Sequence, residues 1–187
     1  MKEIKLLGVH IPSDLKCNLN THEMTKIACT RLWLIRRLKL LGANKEELLD
    51  VYVKQIGSVL ECAAVVWHPG LTVTNTQNIE RVQKACLAVI LGRSYSSYES
   101  ALHETGLERL TKRRESLCLK FARKTINNQT FKSWFVEAKN VLGTRRIAKN
   151  LKVTQTRTRK FRKSTIPYLT ELLNTKGYSG NPSESDI

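Results

Sequence analysis

Apolar side chains return every three or four residues along most of this chain, and glycine or proline interrupts each such stretch. The first stretch runs from Asn20 to Gly42, the second from Asn44 to a His-Pro-Gly break at residues 68–70, and the third from Thr74 to Gly92. This spacing puts the apolar residues on one face of an α-helix, and glycine is favoured just beyond a helix C-terminus. The pattern predicts three long helices.

Residues that cap helices mark two of these starts. Asn20 with Glu23, and Asn44 with Glu47, have the spacing of a capping box, in which each side chain satisfies a backbone N–H of the first turn. Gly57, inside the second stretch, is a candidate kink. The first helix is expected to bury one apolar face, made of Met24, Ile27, Ala28, Ile35 and Leu38.

The remaining pattern is also mostly helical. A short helix should end near Gly106, a fifth begins near Leu110, and Phe131, Trp134, Phe135 and Ala138 indicate a sixth. Only residues 4–11 alternate loosely, before a Pro-Ser-Asp turn, which is typical of one short strand or half a hairpin. The predicted fold class is mainly α, with about five to six helices preceded by one short β-strand or hairpin.

Positive charge is concentrated near the end of the chain. The 187 residues contain 32 Lys and Arg against 16 Asp and Glu, a formal net charge of +16. Ten of the basic residues lie between Ala138 and Thr170, a span with no acidic residue, interleaved with Phe161 and Tyr168. Cations neutralise phosphates and aromatic rings stack on bases, so this span is a candidate nucleic-acid contact. A solvated, poorly ordered extension and, for Arg157–Lys163, a nuclear-import signal are the alternatives.

No known catalytic motif is present, and the only aspartates, Asp14, Asp50 and Asp186, are far apart in sequence. Five widely spaced cysteines without a C-x-x-C pair predict reduced, mostly buried thiols in a cytosolic or nuclear protein. A metal site combining them with the four histidines lacks ligand spacing, and no cofactor is expected. No apolar stretch approaches the ~20 residues of a membrane helix, so no membrane partner is expected.

Several short motifs occur in one order along nearly the whole chain. They are K-L-L-G-V at Lys5–Val9, R-L-W-L-I-R-R-L at Arg31–Leu38, V-L-E-C-A-A-V-V-W-H-P at Val59–Pro69, I-E-R-V-Q-K at Ile79–Lys84, and R-T-R-K-F-R-K-S with I-P-Y-L at residues 157–169. Together they resemble the region after the polymerase palm in non-LTR (LINE-type, jockey-like) retrotransposon reverse transcriptases.

The resemblance implies four parts: a palm-edge strand or hairpin remnant (1–19), a helical thumb-like domain (20–138), a basic C-terminal extension (139–174) and a disordered tail (175–187). It also implies that Leu7, Gly8 and Val9 lie near a primer grip and that the helices hold an RNA–DNA template–primer. In that family the palm, with its paired metal-binding aspartates, lies upstream of the K-x-L-G-V strand. The expectation is therefore a fragment that is not an enzyme.

Without a palm sheet, a strand at Leu6–Val9 is an unpaired edge that exposes Leu6, Leu7 and Val9. We expect residues 20–138 to fold independently, with residues 1–12 either disordered or in contact with a second copy or a palm-domain chain.

The sequence thus predicts a non-catalytic, nuclear or cytoplasmic protein that binds RNA or DNA without sequence specificity. The alternatives are a helical protein-interaction module and a thumb subunit that needs a separate polymerase palm chain. The expected nucleic-acid-binding residues are the basic residues of the acid-free span and one aromatic among them, namely Arg145, Arg146, Lys149, Lys152, Arg157, Arg159, Lys160, Phe161, Arg162 and Lys163.

Overall fold

The structure is a computed structural model that describes residues 3–12, 17–136, 151–153, 155 and 157–176. These residues are mainly helical and begin with a two-stranded antiparallel hairpin, which confirms the predicted fold class. They form two compact units, one up to Glu115 and one from Ser116. The proposed division into four parts stays a prediction.

The hairpin joins β1 (Glu3–Leu6) to β2 (Val9–Pro12) through Leu7 and Gly8. Both turn residues have positive φ, 47° and 84°, the backbone that favours two-residue hairpin turns. The predicted strand at Leu6–Val9 is therefore wrong, because the chain reverses in its middle. Leu6 and Leu7 are exposed as expected, but Val9 is buried, and the His10 N–H donates to Asn20 Oδ1 at 3.2 Å. The hairpin thus pairs within the chain and packs on the first helix.

Helix α1 (Asn18–Leu40) begins after Cys17 rather than at an Asn20 cap. The predicted capping box is wrong here because the Asn20 side chain accepts the hairpin N–H instead. The end of the helix is as predicted: Gly42 has φ +91°, and the Ala43 N–H donates back to Leu38 O at 3.1 Å. Ile27, expected in the core, is 46% exposed because it lies at the edge of the buried stripe, where it lines a small groove beside the hairpin.

The second predicted helix is broken into pieces. Helix α2 (Lys45–Val51) starts with the predicted Asn44–Glu47 capping box and continues as a π-helical turn at Tyr52–Gly57 and then α3 (Ser58–Glu61). Ala63 then adopts the left-handed conformation with φ +50°, before α4 (Ala64–Trp67) and a 3₁₀ turn at His68–Gly70. The indole N–H of Trp67 donates to Cys62 O at 2.8 Å and so satisfies a carbonyl that the break frees from the helix.

Helix α5 (Val73–Leu91) is capped by Thr72, whose hydroxyl accepts the Asn75 N–H at 3.1 Å, and it ends at Gly92 as predicted. It lies beside α1, and together they bury Ala28, Ile35, Ile79, Cys86 and Leu87. Helix α6 (Tyr98–Thr105) follows and ends at Gly106, which has φ +67°.

The start of helix α7 (Leu110–Ile126) is held by two side chains of α5. Gln83 Oε1 accepts the Leu110 N–H at 3.3 Å, and Glu80 Oε1 accepts both the N–H and the hydroxyl of Thr111 at 2.7 Å. The Tyr98 hydroxyl bonds to the same Glu80 and Gln83. These bonds supply partners for the orphan N–H groups of a helix start that lies inside the protein.

The second unit contains the rest of α7, a 3₁₀ turn at Lys132–Trp134, α8 (Arg159–Arg162) and α9 (Thr165–Lys176). The predicted sixth helix is thus only that short turn in the part described, and Ala138 lies outside the described residues. The Asn174 side chain accepts the Leu151 N–H at 3.1 Å and donates to Leu151 O at 2.9 Å, which ties Leu151 to α9.

All five cysteines are free thiols. Cys86 and Cys118 are buried and Cys17 is half-buried, whereas Cys29 and Cys62 are exposed. The prediction of mostly buried thiols is therefore wrong, because Cys29 lines an open groove beside α1 and Cys62 lies at the break before Ala63.

His68 is held among charged and aromatic groups of the first unit. Burial, together with the nearby guanidinium of Arg114, lowers the pKa of His68 from 6.5 to about 4, although Glu115 acts in the opposite direction. Arg114 is itself fully buried, with its guanidinium carbon 5.8 Å from the ring centre of Trp67. His68 is therefore neutral in the folded protein at pH 7.

We expect this histidine to lower stability as the solution becomes acidic. Between pH 6.5 and about 4 the unfolded chain binds a proton that folded His68 does not, so the free energy of unfolding falls with decreasing pH in this window. The loss from this group is at most about 1.4 kcal/mol per pH unit. Urea denaturation at pH 7, 6 and 5 should show a smaller pH effect for His68→Gln than for the wild type, and equal slopes would contradict the assignment.

Candidate nucleic-acid interface

The ten residues predicted to bind nucleic acid are only partly described. Arg145, Arg146 and Lys149 lie outside the described residues, and Arg159 and Lys160 are placed by their backbone in α8. The others are exposed on the second unit, namely Lys152, Arg157, Phe161, Arg162 and Lys163. The structure therefore leaves these five side chains accessible to a ligand.

The short helix α8 and the residues beside it, 157–163, contain four of these five side chains. Thr158 precedes it and its hydroxyl accepts the Phe161 N–H at 3.2 Å, which fixes the first turn. Phe161 is 51% exposed, and Arg162 pairs with Glu171 of α9 at 3.3 Å. Both members of that ion pair are largely exposed, so it holds Arg162 only weakly. Residues 157–163 thus present an exposed ring among cations.

The three residues placed near a primer grip by resemblance do not share a strand. Leu7 is 93% exposed and Gly8 follows it in the hairpin turn, whereas Val9 is buried against α1. Gly8 and Val9 line a groove of about 330 Å³ with residues such as Met24 and Val59. These side chains offer apolar contact and no charge to a phosphate.

The first unit carries a basic surface that the sequence reasoning missed. Lys26, Trp33, Arg36 and Arg37 are exposed along α1, and we call this set the α1 basic face. Trp33 is 62% exposed, and the guanidinium carbon of Arg37 lies 5.7 Å from the centre of its ring. A cation over an exposed indole stabilises both side chains in place, and the exposed part of the ring is accessible to stacking.

Five other basic residues of the first unit are paired with acidic side chains, four of them as follows. Lys45 pairs with Glu104 at 2.8 Å, Lys54 with Asp50 and Lys112 with Glu108 each at 2.6 Å, and Arg113 with Glu61. By contrast, within the described part of the chain Lys26, Arg36 and Arg37 form no ion pair. Their positive charge is therefore available to an external anion.

The fold itself uses the other two cations of α1. An Arg31 N–H donates to Gln55 O, and Lys39 donates to Val89 O and, at 3.0 Å, to Ile90 O at the end of α5. Lys39 thus satisfies carbonyls that a helix C-terminus leaves without partners.

One signal in the sequence could have revealed the α1 basic face. Residues 24–45 contain six basic residues and no acidic one, with Trp33 among them. Residues 31–38 supported only the resemblance to reverse transcriptases. The predicted nucleic-acid contact was placed at residues 138–170, because that acid-free span is longer and carries more positive charge. What the sequence does not reveal is which of the six cations bind within the fold.

The second unit adds further exposed cations and rings. Lys120, Arg123 and Lys124 are exposed at the end of α7, beside Phe121, which is 39% exposed. After the helix, Phe131 and Trp134 form a tilted ring pair with centres 4.8 Å apart, and each keeps more than a third of its surface exposed. Such rings are suited to stacking on bases.

The carboxylates most enclosed by the first unit are occupied by the fold. Glu61 binds Arg113 through both oxygens, and Glu80 binds Tyr98 and Thr111. Within the described ranges no three His, Cys, Asp or Glu side chains come together as metal ligands. Among the helices described, none is long and apolar enough to cross a membrane.

Comparison with known proteins identifies no relative. No protein-family model, no curated protein and no solved structure matches the chain. The resemblance to retrotransposon reverse transcriptases therefore rests on the motifs in the sequence.

Proposed function

We propose that this chain binds RNA or DNA through its phosphates and bases, without sequence specificity and without catalysis. The observation that carries the proposal is the α1 basic face, where an exposed tryptophan lies among three cations that the fold leaves without acidic partners. The exposed rings and cations of residues 157–163 support it. The motif resemblance is consistent with a fragment of a retrotransposon reverse transcriptase that holds template–primer.

The chemistry of the surface favours binding that does not read sequence. Lys and Arg contact phosphate oxygens, which position a nucleic acid without reporting its bases. Stacking on Trp33 or Phe161 is tolerant of sequence because every base has a π-face. Affinity should therefore depend strongly on salt and weakly on base composition.

Replacing Lys26, Arg36 and Arg37 with Gln should weaken binding and reduce its salt dependence. Each phosphate contact contributes about 0.7 to 0.9 to the slope of log K against log salt, so losing three should lower the slope by about 2 to 3. Fluorescence anisotropy of a labelled oligonucleotide across a salt series measures both quantities.

A matched control removes the same charge from a different place. Replacing Lys45, Lys54 and Lys112 with Gln also lowers the net charge by three, but these lysines are paired with acidic residues. Their loss should change affinity much less, because each substitution also releases the negative charge of its partner. Equal losses in the two triple variants would contradict a role for the α1 basic face.

The basic segment of the second unit should contribute independently. Replacing Arg157, Arg159, Lys160, Arg162 and Lys163 with Gln should weaken binding to the same extent for oligonucleotides of different sequence and flatten the salt slope. The circular dichroism spectrum should not change, because the described side chains of this set are exposed. An unchanged affinity would remove this segment from the proposed interface.

The hairpin favours a second candidate function, which is association with another copy of the chain. Ile4, Leu6 and Leu7 are 58%, 57% and 93% exposed on a two-stranded sheet, and strand β1, which is exposed along its whole length, offers an edge for further pairing. Sedimentation velocity should then show a dimer that Leu7→Lys converts to monomer. A wild-type protein that sediments only as monomer would exclude this candidate.

A further inference from the structure

A groove of about 510 Å³ runs between α1 and α5 in the first unit. The two helices lie side by side and point the same way: Asn75 Nδ2 donates to Asn18 Oδ1 at 2.8 Å near their starts, and Lys39 donates to Ile90 O near their ends. The groove is therefore built on the two longest helices, and its shape is set by their packing. A volume of this size falls within the range of small-ligand sites.

The lining changes character along the groove. Near the helix starts it consists mainly of amides and hydroxyls, including Asn18, Asn78 and Thr25, and farther along it becomes apolar at Leu32, Val82 and Ala85. An asparagine side chain carries both a hydrogen-bond donor and an acceptor. This combination matches a nucleobase, which has an apolar face and an edge of donors and acceptors.

Positive groups border the groove, and none of the described residues that line it is acidic. Arg81 lies at its rim, exposed, with an N–H donated to Asn78 Oδ1 at 3.1 Å. Arg36 is on the same side of α1, because its charge acts on the Cys86 thiol of α5. Burial raises the pKa of that thiol to about 12, and the nearby positive charge of Arg36 opposes the rise. A phosphate next to a base in the groove would therefore meet guanidinium groups.

The α1 basic face adjoins this groove. Because an α-helix repeats every 3.6 residues, residues 22, 29 and 36 lie along one line of α1. Residues 26, 33 and 37 lie along the adjacent line, on the side away from the buried face. His22 and Cys29 line the groove, while Trp33 stands on the neighbouring row. A base in the groove and a second base stacked on Trp33 would thus be neighbours on one strand.

We propose that the α1–α5 groove accepts an unpaired base, so that the nucleic acid bound by this unit is single-stranded at that point. This inference rests on the proposed function. In a duplex the bases are stacked and paired, and their faces are closed to a groove or an indole. In a single strand both are accessible.

Two exposed cysteines allow a direct test on the full chain. Cys29 lines the α1–α5 groove, whereas Cys62 lines the other groove, beside the hairpin. The rate of alkylation by N-ethylmaleimide is measured at each by mass spectrometry, with a 20-nucleotide single-stranded RNA or the same RNA annealed to its complement. At saturation the single strand should slow alkylation of Cys29 by about tenfold or more and leave Cys62 unchanged. The duplex should protect neither thiol.

A pair of substitutions on α5 supports the footprint. Asn78→Leu removes a groove amide, whereas Gln77→Leu makes the same kind of change at the adjacent exposed position outside the groove. Asn78→Leu should weaken binding of the single-stranded RNA by about tenfold, the scale of a lost base-edge contact, and Gln77→Leu should not. Equal thermal midpoints show that both variants fold.

The outcomes separate this inference from the function on which it rests. If the single-stranded RNA binds while Cys29 and Cys62 react as in the free protein, the groove proposal is wrong and nucleic-acid binding stands. If the duplex protects Cys29 as well as the single strand does, or if both thiols are protected together, an unpaired base in the groove is excluded. If neither RNA binds, the proposed function fails and this inference fails with it.

Discussion

The packing of α1 against α5 is the contact on which the first unit depends. Ala28 and Ile35 on one helix and Ile79 and Cys86 on the other are fully buried, and interiors of this kind are as dense as molecular crystals. Because the two helices are fixed in this way, the hairpin has a surface to pack on and α5 can present Glu80 and Gln83 to the start of α7. The same contact decides which face of α1 remains in solvent.

A basic sequence does not by itself define a basic surface. Arg31 and Lys39 belong to the same acid-free stretch, residues 24–45, as Arg36 and Arg37, yet their side chains donate to backbone carbonyls. Several other cations of the first unit, such as Lys45 and Lys54, are paired with acidic side chains. Net charge therefore overstates the number of groups available to a ligand, and only tertiary contacts show which ones remain. The exposed indole of Trp33 shows the face most clearly, because a large ring in solvent has no explanation within the core.

Much of the fold follows from local sequence signals, and the exceptions have identifiable causes. Gly42, Gly92 and the Asn44–Glu47 box end or start helices as predicted, because these signals act within one turn. Asn20 has the same local signal as Asn44, but the hairpin takes its side chain. In the candidate site, the charge and aromatic content of residues 157–163 could be predicted. The α1–α5 groove could not, because it is formed by two helices that are separated in the sequence by α2, α3 and α4.

The left-handed backbone at Ala63 shows how far tertiary contacts control local structure. An alanine in this conformation costs on the order of 1 kcal/mol, a strain that glycine would not have. Nothing in the sequence Glu-Cys-Ala-Ala-Val disfavours helix strongly enough to cause a break. The break is held instead by Trp67, which is buried and donates to Cys62 O. A peptide of residues 45–67 cut from the protein would therefore favour an unbroken helix. The helix break at Ala63 exists only once the chain around it has folded.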